Sequence, residues 1–371
     1  MIEAFEAAAE AAGESGMPRS LLSLEATCAR LLQTVGERSA DALPKLRLSD
    51  AAEVSRVKFA RDISRGETDW ISSIVPSEYT LVGKMERGTH GAWLIKSEDE
   101  TPLIFKRVDS NDVTPQISAS ARMARAADSP LSPTPRYLGI GYKPGKGSWY
   151  VQEFLPGLPA PAPSDKLIAQ MVRMNMHQAD AATGDATDWS SRVMSALYQD
   201  SKGWQERIGN SGEDGRALVG DIRKLIERNS NIDLRGGDVV HGDFQHYNAL
   251  VDQTDRMTGY VDWEGAGKGD RGIDLTRLLY DAHVSEAEKG FQSNPATLAW
   301  LNQHAADVSG KAARDNFMSY WVMQVADFGL KKSPQEARLF VGVGRGIIDA
   351  LSSENALRAA SSSPLVQVMS E

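Results

Sequence analysis

The sequence predicts an α+β protein of two lobes, a small antiparallel β-sheet followed by a mostly helical body, with a helical extension in front. Short aliphatic and aromatic runs separated by turn residues fill 79 to 154. After Pro163 the apolar residues recur at helical steps instead. The first 75 or so residues precede both stretches. The expected organisation is therefore an extension over 1–75, a sheet lobe over 76–155 and a helical lobe over 156–371.

In the extension, Leu21, Leu24, Cys28, Leu31 and Val35 recur at steps of three and four, on one face of a helix that Gly36 can stop. That face packs on the protein's own body or docks a partner protein or peptide. Cys28 falls in the apolar stripe and reads as a buried thiol. From Val54 to Arg65 the charges Arg56, Lys58, Arg61 and Arg65 read as a solvated face. Strands are expected at Tyr79 to Glu86, Ala92 to Lys96 and Leu103 to Val108, a meander with Gly88 and Gly91 in its first turn. Two more, Arg136 to Tyr142 and Ser148 to Phe154, flank a Lys-Pro-Gly-Lys-Gly turn, and Leu155-Pro156-Gly157 ends the lobe. Helical patterns follow at 167–178, 190–199, 217–228, 275–282, 295–306 and 315–325.

Composition narrows the function. Hydrophobic residues make up 41% and charged residues 25% of the chain, as in ordinary globular proteins. The net charge of -9 opposes non-specific nucleic-acid binding, which relies on an excess of Lys and Arg. A lone cysteine excludes an internal disulfide, the acidic start does not resemble a signal peptide, and no apolar run is long enough to span a membrane. The cytoplasm is the expected compartment, with neither nucleic acid nor membrane as partner.

The chemistry concentrates between His241 and Asp262. His241-Gly242-Asp243 is followed by Asn248 five residues after the Asp, then by an apolar run and Val261-Asp262-Trp263-Glu264. Transfer of a phosphoryl group to a hydroxyl needs a carboxylate near the incoming hydroxyl and oxygen ligands for Mg²⁺ on the nucleotide. Asp243 suits the first role; Asn248 and Asp262 suit the second. His241 and His246 fall at a spacing usable by zinc, but no cysteine pair accompanies them, and loop packing is the better reading of His246.

The ordered set His-Gly-Asp, Asn248, Asp262-Trp-Glu, Gly269-Asp270 and Asp274-Leu275 resembles the aminoglycoside phosphotransferase and choline kinase-like family. The resemblance implies a bilobal protein-kinase-like fold and an ATP- and Mg²⁺-dependent phosphotransferase, with GTP not excluded as donor. It implies that Gly88 and Gly91 cover the phosphates and that Lys106, in the third strand, meets them. The backbone around Glu153 to Leu155 is then the hinge that meets adenine. His241, Glu264 and Asp274 become supporting residues. One departure stands out: Asp112 to Ala127, the helix expected to give Lys106 its Glu partner, contains no Glu, so Gln116 takes the place or Lys106 pairs with phosphate directly.

The acceptor is less specified. From Asp281 to Glu371 ten acids meet eight bases, which is no anionic trap for a polycation. A small-molecule hydroxyl of antibiotic or amino-alcohol type is the first expectation. Ser or Thr of a peptide in a natural-product pathway is the second, and a catalytically silent kinase-shaped scaffold is the third.

Overall fold

The computed structural model describes residues 65–361, apart from 86–90, 131, 231, 233 and 235. The expected helix at Leu21 to Val35, Cys28 and Gly88 lie outside the described residues.

Five antiparallel strands form the small-lobe sheet: β1 (Thr80–Lys84), β2 (Ala92–Lys96), β3 (Pro102–Asp109), β4 (Tyr137–Lys143) and β5 (Gly147–Glu153), in the order β1-β2-β3-β5-β4. Successive side chains of a strand point to opposite faces. Trp93, Ile95, Leu103, Phe105 and Val151 accordingly share one face and pack with Ile71 of α1 (Arg65–Ser72). Leu94 and Ile104 share the other with Phe154, Met85 and Ala92. Lys106 follows Ile104 by two residues and pairs with Ala92 on one side and Tyr150 on the other, so the lysine leaves the sheet on the face away from α1.

Helix α2 (Thr114–Ala127) crosses between β3 and β4, with Pro115 in its first turn. Beyond the sheet come α3 (Asp165–His177), α4 (Trp189–Tyr198), α5 (Trp204–Asn210) and α6 (Glu213–Arg228), then α7 (Gly272–Lys289), α8 (Pro295–Ser309), α9 (Lys311–Lys332) and α10 (Pro334–Ser361). Several begin as their sequences predict: Ser164 accepts from Leu167 N, Asp188 from Ser191 N, and Asn294 from Ala296 N with Pro295 next. Helix α9 is buried on nearly every side, from Ala313 to Gly329. It is the axis of the large hydrophobic core, where the Trp189 ring meets Tyr320 edge-on and Trp321 at a tilt.

Short strands deliver the segment from His241 to Asp262. β6 (Leu158–Pro159), β9 (Ala249–Val251) and β10 (Met257–Tyr260) form one ladder; β7 (Thr187–Asp188), β8 (Asp238–Val240) and β11 (Gly267–Gly269) form another. Among the described residues, no helix is long and apolar enough to cross a membrane.

Helices α1, α5 and α10 have no counterpart among the sequence expectations. Gly342, Gly344 and Gly346 lower the helix propensity of α10. Tertiary packing overrides it: a Cβ on Gly344 would lie 2.6 Å from Val322 Cγ1 of α9.

Candidate active site

The loop leaving β8 carries His241-Gly242-Asp243. Gly242 has φ +81°, and a Cβ there would collide with the Trp189 ring, so conformation and space both demand glycine. His241 is fully buried, and burial lowers its pKa, which keeps the ring neutral. Asp243 N–H donates to His241 Nδ1 at 3.2 Å, so the ring proton is on Nε2 and faces Val261 O at 3.0 Å. One imidazole thus joins the loop to the segment leading into Asp262.

Asn248 comes beside that segment because Val261 N donates to Asn248 O at 2.9 Å, extending the β9–β10 ladder. Its Nδ2 donates to Asp243 O at 2.9 Å and to Asp243 Oδ2 at 3.3 Å, so Oδ1 is the atom that could meet a cation. Asp262 adopts a left-handed backbone, φ +71°, and opens the short 3₁₀ turn Trp263–Gly265. Its carboxylate is paired with Lys106 Nζ. The Asn248 amide oxygen, just before β9, and the part-exposed Asp262 carboxylate, just after β10, are of the kind that could hold Mg²⁺, which takes few protein oxygens and completes its shell with water and phosphate. Among the described residues no group of three or more His, Cys, Asp or Glu is placed to hold a metal ion.

Lys106 also meets Glu264 Oε2 at 3.3 Å, and Tyr150 OH donates to the same oxygen at 3.1 Å. Burial works against the ammonium, but the two carboxylates outweigh it and raise its pKa. Gln116 is exposed on α2 and is not the partner; Glu264, from beyond Asp262, stands where a helix Glu was expected. Helix α2 contributes differently, through Ser120 Oγ, which donates to Glu264 O at 3.0 Å and Ala266 O at 3.1 Å.

Asp274 lies under the loop, fully buried. It accepts from His241 N at 2.7 Å, Gly242 N at 3.0 Å and Gln178 Nε2 at 2.8 Å. Burial pushes its carboxyl up to about 7 against the pull of these donors. Gly91, φ +72°, immediately precedes β2. The remaining expected residues are less central: the Glu153 side chain turns to Arg136 Nε at 2.6 Å, and Leu155, just past β5, packs over Gly259.

The sequence model of the phosphotransferase enzyme family, APH, matches residues 86–303. The chain belongs to this family. It is a phosphotransferase with an alcohol group as acceptor. No curated protein matches it. Among solved structures, a thermostable mutant of aminoglycoside phosphotransferase APH(4)-Ia in its apo form is similar with TM-score 0.55 and 14% identity, over 76% of this chain and 98% of that one. The amicoumacin kinase hAmiN gives TM-score 0.56 and 13% identity, over 78% and 94%. An aminoglycoside phosphotransferase from Alicyclobacillus acidocaldarius subsp. acidocaldarius DSM 446 gives 0.50 and 14%, over 80% and 97%. At these identities the likeness establishes the kinase-like fold alone.

Sequence reasoning missed several residues of this phosphotransferase site. Arg277 Nε lies 3.4 Å from Asp243 Oδ1, and its NH2 donates to Gln245 Oε1 at 2.7 Å. Asp281 accepts from His246 N at 2.9 Å and lies 2.5 Å from His246 Nδ1, the packing role expected of that histidine. A signal was present: Asp274, Arg277 and Asp281 are three and four apart, on one face of a helix.

Proposed function

We propose that this cleft moves the γ-phosphoryl group of ATP, with GTP not excluded as donor, to a hydroxyl of a small molecule of antibiotic or amino-alcohol type. The observation that carries the reading is the half-exposed Asp243 carboxylate, bound to Asn248 beneath it and set on the same loop platform as Asp262. The likeness to APH(4)-Ia, solved in a ternary complex with ADP and hygromycin B, and to hAmiN, solved with AMP-PNP, Ca²⁺ and Ami, supports nucleotide and small-molecule binding.

In the proposed reaction Asp243 accepts a hydrogen bond from the acceptor hydroxyl and orients its oxygen in line with the γ-phosphorus. As the new O–P bond forms and the bond to the β-phosphate oxygen breaks, the hydroxyl proton passes to Asp243 and then to solvent. The transition state is loose, so orientation and a late proton acceptor suffice, and the carboxylate needs no unusual basicity. Lys106 turns from Asp262 to the α- and β-phosphates while Glu264 keeps hold of its ammonium. Mg²⁺, held by Asp262 and Asn248, would neutralise phosphate charge. Glycines of the β1–β2 turn, Gly88 and Gly91, cover the phosphates, and the backbone from Glu153 to Leu155 meets the base. The reaction runs in the cytoplasm, where ATP is supplied.

The test is a phosphate-transfer screen against antibiotics, amino alcohols and Ser/Thr peptides, with Mg²⁺-dependent ATP binding and hydrolysis measured alongside. Asp243→Asn is expected to lower kcat about 100-fold or more while ATP still binds. Unchanged turnover in that variant removes Asp243 from the role, and absence of Mg²⁺-dependent ATP binding favours the silent scaffold.

A further inference from the structure

Resting on the phosphotransfer reading above, we propose that Arg277 is the positioning residue of Asp243 and that it acts through a closed ring of three side chains. Along α7 the residues Asp274, Arg277 and Asp281 all face the catalytic loop, but they grip different parts of it. Asp274 accepts from the backbone amides of His241 and Gly242, and Asp281 from the backbone amide and ring of His246. Of the three, Arg277 reaches the catalytic carboxylate itself.

The ring runs from Arg277 Nε to Asp243 Oδ1 at 3.4 Å, from Asp243 Oδ2 to Gln245 Nε2 at 2.8 Å, and from Gln245 Oε1 back to Arg277 NH2 at 2.7 Å. Its polarity admits one orientation of the Gln245 amide, because a guanidinium only donates and a carboxylate only accepts. Both carboxylate oxygens are thereby engaged from the side, with Asn248 Nδ2 adding a longer bond to Oδ2. Oδ1, with Arg277 as its one donor, keeps a lone pair, and the Asp243 side chain remains 43% exposed for an incoming hydroxyl. Arg277, only 12% exposed, is seated in turn: its guanidinium lies over the Trp321 ring at 5.4 Å, and the Trp321 indole donates to Ile273 O at 2.8 Å.

The geometry favours orientation over charge. The Nε contact is long for an ion pair, whereas the rigid fork spans two different acceptors at once. A lysine carries the charge but lacks the fork, so it cannot close the ring. Loss of Arg277 frees both Gln245 and the carboxylate to rotate, and misplacement of a reacting group by about 1 Å costs roughly 100-fold in rate.

Mg²⁺-dependent ATP hydrolysis by the full chain, with water as the acceptor, is a sufficient probe. Arg277→Ala is expected to lower kcat by about 10- to 100-fold with the ATP KM changed less than about twofold. Added guanidinium ion should restore several-fold of the loss in Arg277→Ala and nothing in Asp243→Asn. Arg277→Lys should stay impaired, and Gln245→Leu should lose a similar factor that does not multiply with that of Arg277→Ala. An unchanged kcat, or a loss that guanidinium leaves untouched in a variant melting with the wild type, overturns the proposal. Because Gln245→Leu opens the ring from its other side, the proposal stays testable even where Arg277→Ala misfolds: full activity of Gln245→Leu also overturns it. Should the wild type turn over no ATP, the phosphotransfer reading fails separately. The ring is then decided by the Gln245 side-chain amide signals in a ¹H–¹⁵N spectrum, which must shift in Arg277→Ala if Arg277 holds them.

Discussion

On the floor of the cleft the loop from His241 to Asn248 is tied down through its backbone, with amide N–H groups of His241, Gly242 and His246 ending on buried carboxylates of α7. On the roof, Lys106 is held by side chains alone, between Asp262 and Glu264, and Tyr150 steadies the second of these. A backbone tie fixes where Asp243 stands whether or not substrate is present. An ion pair among part-exposed carboxylates can be exchanged for one with phosphate. The floor is therefore built for permanence and the roof for exchange, as a reaction with one fixed acceptor geometry and a nucleotide that enters and leaves requires.

The largest expected effect that sharpens this contrast is on the floor. Asp274→Ala strands three buried donors and should cost about 3 kcal/mol or more of stability, measured by denaturant unfolding. A cost under about 1 kcal/mol would mean that the loop is held elsewhere.

The same carboxyl predicts a pH dependence. Its folded pKa of about 7 lies above the ordinary value of 3.8, so folded protein binds this proton more tightly than unfolded protein does. The stability so added is complete below the ordinary value and is lost as pH rises through about 7. Between those limits wild-type stability should fall relative to Asp274→Asn by a few kcal/mol, at most about 4. Parallel stability–pH curves for the two proteins would show that Asp274 is ionised throughout.

The smallest effect belongs to the roof. Lys106→Met should move stability by about 1 kcal/mol or less, because Asp262 and Glu264 are partly solvated, while raising the ATP KM about tenfold. Glu264→Gln should do less still to stability and weaken ATP by a few-fold, since the amide oxygen can still accept from the ammonium. A stability loss at Lys106 matching that at Asp274 would erase the distinction between floor and roof.

Legibility followed the range of the interactions. The five small-lobe strands and six of the large-lobe helices were readable because apolar period and turn chemistry are local properties, as at Ser164, Asp188 and Pro295. Helix α10 was not, because its glycines speak against a helix until α9 packs on Gly344. Residues His241, Asp243, Asn248, Asp262 and Asp274 could be singled out from their spacing. Arg277 and Gln245 were passed over, since nothing in the loop's own sequence says which helix lies beneath it.

The sequence by itself determined that a β-sheet lobe precedes a helical lobe, and that one short segment carries the oxygen-rich residues of phosphoryl transfer. Only the tertiary structure decided that Glu264, and not a residue of α2, faces Lys106, and that Arg277 and Gln245 close around Asp243. The physical reason is that local pattern selects an element and the face it buries. Which polar groups then meet across 32 or more residues depends on how those faces pack, and no periodicity within one segment encodes that.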